Sequence, residues 1–304
     1  MEIKVAKSAG FCFGVKRAVD MVYDRISENG GSGEGIYTLG PIIHNEVVVS
    51  ELAEKGVKIL EKKSDGFYVS SGHEYDTQVR KITEEELKDA IVIVRSHGVE
   101  KQVFSELQKT GATIADATCP FVKKIHTIVE QESKNGADIV IIGDPQHPEV
   151  QGICSYCEKQ PLVIDTPDQA KSAVFAPDQK VCVVSQTTAN YNKFEELVEI
   201  LSKKAYSMNS VNTICNATAT RQQEARSIAK QVELMIVIGG THSSNSQKLY
   251  EICKKECENT YFIQTPGDLH LDYPKSVRSV GITAGASTPN NIIEEVQDHV
   301  RTIF

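Results

Sequence analysis

The chain has 304 residues, with 33 Lys+Arg against 41 Asp+Glu, a formal charge of −8, 40% hydrophobic residues and 24% charged ones. It is too apolar for a disordered chain, and an acidic balance without a basic block excludes a nucleic-acid binder that works by broad phosphate neutralisation. Apolar runs such as 90–94 and 235–238 fall far short of the ~20 residues a membrane-spanning helix needs, and the N-terminus lacks a signal peptide's apolar stretch, so a cytoplasmic protein with no membrane partner is expected.

A strand-like N-terminus leads into Gly10-Phe11-Cys12, with Lys16 and Arg17 following on an opening helix. Residues 29–35 are Gly-rich but lack the Gly-Lys-Ser/Thr ending of a phosphate-binding loop, so they are expected to end that helix and turn the chain. The loop 41–45 carries His44. Residues 61–89 are polar and read as an exposed excursion, with Glu84, Glu85 and Glu86 on a solvated helix face. A strand at 91–95 precedes His97, and Ala117-Thr118-Cys119 then opens a second basic helix with Lys123 and Lys124. Strands at 139–142, 162–164 and 181–185 follow, the first running toward His147-Pro148-Glu149 and the last toward Thr187 and Thr188. After a helix at 194–204, Cys215 precedes a helix at 221–231. Strands at 234–238 and 277–281 run toward Ser243-Ser244-Asn245 and Ser287. Alternating strands and amphipathic helices predict an α/β fold with largely parallel sheets.

Cys12, Cys119 and Cys215 recur at intervals of about a third of the chain, each between a strand-like segment and a helix with basic residues. Each third also holds two polar loops after apolar runs, where α/β units gather ligands. Three similar subdomains sharing one central site are therefore expected, with boundaries at 1–13 for the N-terminal strand and first cysteine, then 14–118, 119–214 and 215–304. At helix N-termini beside basic residues the three thiols favour the metal-binding thiolate. They suit an iron–sulfur cluster with one iron free of protein ligands, or zinc with an open position. Cys154 and Cys157 have C-x-x-C spacing, Cys253 and Cys257 share a helix face, and Cys182 lies in an apolar strand. These five are expected to be structural, as are His126, His270, His299 and His73. His44, His97 and His147, with Thr187, Thr188, Ser243, Ser244, Asn245 and Ser287, form a donor set suited to a phosphate or diphosphate. Glu149 suits either a helix N-terminal carboxylate or a general acid.

These motifs, with Ser96-His97-Gly98-Val99, Asp116-Ala117-Thr118-Cys119-Pro120 and Gln186-Thr187-Thr188, resemble the IspH/LytB family of 4-hydroxy-3-methylbut-2-enyl diphosphate reductases over essentially the whole chain. The resemblance implies a cloverleaf of three α/β subdomains with pseudo-three-fold symmetry around a 4Fe–4S cluster held by Cys12, Cys119 and Cys215. It implies that the fourth iron takes the substrate's hydroxyl oxygen. It also implies that His44, His97, His147, Ser243, Ser244, Asn245 and Ser287 grip the diphosphate, that Glu149 delivers a proton and that Thr187 orients the hydroxyl. The reaction it implies removes the allylic hydroxyl as water with two electrons and two protons, giving isopentenyl and dimethylallyl diphosphate. No flavin or nicotinamide motif is evident, so an external electron donor such as ferredoxin or flavodoxin is expected. Thr241-His242 replaces the Lys-Asn often found before the Ser-Ser-Asn motif, leaving open a titratable donor or an altered loop. A zinc-dependent phosphohydrolase and a non-catalytic phosphate-binding module are the competing readings of the same residues.

Overall fold

The computed structural model describes residues 1–72, 78–269 and 277–303, so His73 and His270 lie outside the described residues. The described strands form three sheets, and the chain divides into two compact units. One unit comprises Met1–Lys16, His44–Val48 and Cys215–Phe304, and the other Arg17–Ile43 and Val49–Ile214. No described helix is long and apolar enough to cross a membrane.

In the first unit, strands Glu2–Val5, Ser279–Ala284, Leu234–Ile238 and Thr260–Ile263 lie side by side and parallel. The run Leu234–Ile238 is apolar throughout because helices cover both faces, as parallel sheets require. Leu234, Ile236 and Ile238 pack with Ile292, Ile293, Val296 and Val300 of helix Asn290–Ile303. Met235 and Val237, on the opposite face, pack with Ala225 and Ala229 of helix Asn216–Ala229 and with Leu249 and Cys253 of helix Ser244–Glu256. The predicted strand at 277–281 is shifted to Ser279–Ala284. Arg278 is drawn out of the ladder because its N–H and guanidinium bind the Glu233 carboxylate, while Thr283 and Ala284 pair with Val237 and Ile238.

The second unit carries two sheets. Strands Ser207–Ser210, Lys180–Ser185, Asp138–Ile142 and Leu162–Ile164 form a parallel sheet that is again two-faced. Val140, Ile142, Val181 and Val183 pack with Phe194, Leu197 and Leu201 of helix Tyr191–Ser202. Ile139, Ile141, Cys182 and Val184 pack with Ile125 and Val129 of helix Pro120–Lys134 and with Val150 and Ile153. Each such side chain fully buried contributes roughly 1.5–3 kcal/mol.

In the other sheet, strands Lys58–Lys63, Ile36–Leu39, Ile91–Val94 and Thr113–Asp116 are parallel, and Gly66–Ser70 and Arg80–Lys81 extend it antiparallel. The 61–89 stretch is therefore not simply an exposed excursion. Phe67, Val69, Ile82 and Leu87 are buried in that sheet's core, while Glu84 and Glu85 stay on a solvated helix face. The Gly-rich 29–35 segment does end the first helix, Phe13–Glu28, with Gly30, Gly31 and Gly35 in left-handed turns.

Two helices begin earlier than their apolar spacing suggests. Asn190 accepts from the Lys193 N–H ahead of Tyr191–Ser202, and the Thr-rich start of Asn216–Ala229 carries no apolar period to reveal it. In both units the predicted polar loops leave the carboxyl ends of parallel strands, where Leu39, Val94, Asp116, Ile142, Ser185, Ile238 and Ala284 end their elements.

Candidate active site

In the larger unit, the strand Asp138–Ile142 ends at Gly143, and the chain turns into the short helix Pro148–Cys154 with His147 as N-cap. The Nδ1 atom of His147 accepts the N–H of Glu149 at 3.1 Å, which leaves the ring proton of the neutral imidazole on Nε2, poised as a donor. Glu149 is 1% exposed. Its carboxyl accepts the Thr187 N–H at 2.6 Å and the Thr187 hydroxyl at 2.7 Å. Burial dominates over these two hydrogen bonds and pushes the Glu149 carboxyl up from 4.5 to about 7. A group with that affinity both holds and releases a proton near neutrality, as a general acid must. Glu149 also occupies the first turn of its helix, behind the N-cap His147.

His97 lies edge-on to His147, ring centroids 5.4 Å apart. Its loop is pinned by Arg95, whose Nε donates to the Gly98 carbonyl at 3.3 Å, and by Ser96, whose N–H and hydroxyl both reach the Ile42 carbonyl. The Ser96 carbonyl in turn accepts the N–H of Cys119 at 2.9 Å. Cys119 is the N-cap of Pro120–Lys134, and a proline at the first helical position suits that start.

In the smaller unit, Cys12 directly precedes helix Phe13–Glu28 and Cys215 is the N-cap of Asn216–Ala229. The two sulfurs are close enough for Cys12 to act electrostatically on Cys215. Burial raises the Cys215 thiol, while the backbone amides of Ala217 and Thr218 in the first helical turn pull it down.

The Ser243 hydroxyl caps helix Ser244–Glu256 by accepting the Ser246 N–H, and Ser246 Oγ donates to it at 2.9 Å. Gly239 and Gly285 crowd onto Ser246; a Cβ at either would fall within 2.2 Å of its Oγ, so only glycine fits. Ser287 donates to the His44 carbonyl at 3.0 Å, and His44 Nδ1 donates to the His242 carbonyl at 2.9 Å. The His242 carbonyl thus holds His44, while the His242 ring is exposed and Thr241 Oγ1 donates to Glu46. Asn245 is 5% exposed, yet neither its amide nitrogen nor its oxygen has a hydrogen-bond partner among the described residues. A buried amide left in that condition fits a site that binds a polar ligand.

The larger unit thus brings together His97, His147, Glu149 and Thr187 and holds Cys119, while the smaller brings together Cys12 with Cys215, and His44 with Ser243 and Ser287, beside Ser244 and Asn245. Three thiols at helix starts, none in a disulfide, are the donor set an iron–sulfur group takes. Burial acts more strongly on three of the remaining cysteines. Burial pushes Cys182 up to about 11 and Cys157 and Cys253 to about 12, which keeps them protonated. His126 is buried and stacked on Tyr156, and burial depresses it to about 4. Arg17, Arg221 and Glu224 were not singled out from sequence as structural anchors; the basic residues after each cysteine were the only signal.

The sequence matches the LytB protein family over residues 3–301. It is 43% identical to the 4-hydroxy-3-methylbut-2-enyl diphosphate reductase of Caldanaerobacter subterraneus subsp. tengcongensis over 100% of this chain and 98% of that one. Among solved structures, it resembles an (E)-4-hydroxy-3-methyl-but-2-enyl diphosphate reductase described as the terminal enzyme of the non-mevalonate pathway, at 37% identity and TM-score 0.66, covering 99% of this chain and 100% of that one. It also resembles the E-1-hydroxy-2-methyl-but-2-enyl-4-diphosphate reductase from Plasmodium falciparum, at 26% identity and TM-score 0.85, covering 99% and 87%.

Proposed function

Because the chain belongs to the LytB protein family, we propose that it performs the reductive step ending the non-mevalonate route to isoprenoids, acting on 4-hydroxy-3-methylbut-2-enyl diphosphate with Glu149 as its proton donor. The observation that carries the role of Glu149 is its burial beside Thr187 with a proton affinity near neutrality.

Cys12, Cys119 and Cys215 would hold a 4Fe–4S cluster, which when bound supplies electrons and a Lewis acid at the leaving oxygen through the iron without a protein ligand. The allylic C–O bond breaks; two electrons and two protons are consumed, and the products are water with isopentenyl or dimethylallyl diphosphate. Glu149 gives up the proton that turns the leaving hydroxide into water. Thr187 donates its hydroxyl proton to the Glu149 carboxylate in the resting site and, by rotating about its side-chain bond, can pass a proton between Glu149 and the substrate hydroxyl. His44, His97, His147, Ser243, Ser244, Asn245 and Ser287 hold the diphosphate and orient the substrate without taking part in bond breaking. The same proposal includes a cloverleaf of three subdomains, 14–118, 119–214 and 215–304, with residues 1–13 as the N-terminal strand and first cysteine. Three sheets and three cysteines at helix starts support it. The electron donor is an external ferredoxin or flavodoxin, and the enzyme works in the cytoplasm.

Glu149→Gln tests the assignment. Turnover with dithionite-reduced enzyme is expected to fall at least about 100-fold, with substrate affinity changed only a few-fold. Unchanged turnover would remove Glu149 from the mechanism.

A further inference from the structure

All three cysteines follow loops without helix or strand, and two of these loops, before Cys12 and Cys119, are gripped by an arginine on a helix that itself starts at a cysteine. Arg221, six residues after Cys215, is 3% exposed, and among the described residues its hydrogen bonds all go to backbone carbonyls. Nε donates to Ser8 at 2.9 Å and Nη2 to Gly10 at 2.8 Å, four and two residues before Cys12. One turn along the same helix, Glu224 takes the other polarity of that loop. It accepts the N–H groups of Lys7 and Ser8, each at 2.8 Å, and the Ser8 hydroxyl at 2.5 Å. Gly10 sits at φ +95°, and a Cβ there would stand 2.5 Å from Asn290 Oδ1, so the loop accepts one shape only. Arg17, five residues after Cys12, repeats the device. It donates to the Asp116 carbonyl at 3.2 Å and the Thr118 carbonyl at 3.3 Å, three and one residues before Cys119.

We propose that Arg221 and Arg17 are positioning residues that clamp the loops presenting Cys12 and Cys119, and that Arg221 also sets the reduction potential of the group those cysteines hold. This rests on the iron–sulfur assignment above. The rigid guanidinium fork spans two carbonyls at fixed spacing, which the point charge of a lysine cannot do. A buried cation with no carboxylate among its hydrogen-bond partners is costly unless negative charge lies near. For Arg221 the Glu224 carboxylate one turn along the helix supplies part of that charge, and a group held by Cys12 and Cys215 would supply the rest. A fixed positive charge beside the cysteines favours the reduced, more negative state of a bound cluster.

The test uses the full chain, prepared and reconstituted anaerobically, with EPR-monitored redox titration and iron release to a chelator as readouts. In Arg221→Gln, the oxidised-to-reduced ratio at the wild-type midpoint should rise at least tenfold, a shift of about 59 mV downward for one electron. Arg221→Lys should keep the midpoint within a two-fold change of that ratio yet release iron at least ten times faster. Arg17→Gln should release iron faster as well. A wild-type midpoint in Arg221→Gln, or wild-type iron release in Arg221→Lys, would overturn the proposal. If Arg221→Gln does not fold by circular dichroism, Arg221→Lys and Arg17→Gln decide it, and wild-type release in either is the overturning result. A wild-type protein that takes up no iron would instead refute the iron–sulfur assignment itself.

Discussion

Glu149 and His126 impose opposite pH dependences on stability, although both are almost wholly buried. Folding raises Glu149 from 4.5 to about 7, so its contribution is complete below about pH 4.5 and is lost as pH rises through 7. His126 is lowered from 6.5 to about 4, so its contribution is complete above pH 6.5 and is lost as pH falls through 4. Each displacement corresponds to roughly 3 kcal/mol. In urea unfolding from pH 4.5 to 7, Glu149→Gln should gain stability relative to wild type as pH rises, and His126→Gln as pH falls; differences independent of pH would contradict both assignments. Turnover should decline above about pH 7 as Glu149 loses its proton. Thr187→Val, which removes one hydrogen bond to the carboxylate, should move that decline to higher pH, whereas an unmoved decline would separate Thr187 from the proton. Glu149, Thr187 and the three cysteines were legible as candidates because chemistry and loop position coincide in the sequence. Arg221 was not, since a guanidinium bound to carbonyls leaves no partner side chain for a sequence to reveal.

The strands Leu162–Ile164 and Leu234–Ile238 fall where their apolar runs predict, and the second is buried throughout because its sheet is covered on both faces. The last strand was misplaced because Thr283 and Ala284 look like loop residues until the pairing to Val237 and Ile238 is seen. Likewise, the antiparallel extension at Gly66–Ser70 hides Phe67 and Val69 among charges. Ile236 is fully buried, and Ile236→Ala should cost roughly 2–5 kcal/mol in chemical denaturation. Leu162→Ala, at a side chain 39% exposed, should cost far less. Equal losses would mean that the two-faced packing does not dominate the stability of these sheets. The capping box of helix Pro167–Ser172 gives a smaller expectation: Thr166→Ala should cost about 1 kcal/mol, and no loss would show that end held by other contacts.

At the scale of the whole molecule, the proposed function asks an acidic chain to meet an anion locally, through neutral donors such as the Nε2–H of His147 rather than through net positive charge. The α/β class with parallel sheets was legible from alternating strands and helices, and the three-sheet division follows the spacing of the cysteines. Cys12, Cys119 and Cys215 each stand at the start of a helix, while Cys182 and Cys253 are sealed in apolar cores. Iron and acid-labile sulfide per chain, measured on anaerobically prepared protein alongside its Cys119→Ser variant, test this division most directly. The predicted result is about four of each in a brown wild-type protein with reductive turnover, and loss of iron and turnover in the variant. A colourless wild-type protein holding zinc, or a variant that keeps its full iron and turnover, would contradict the account.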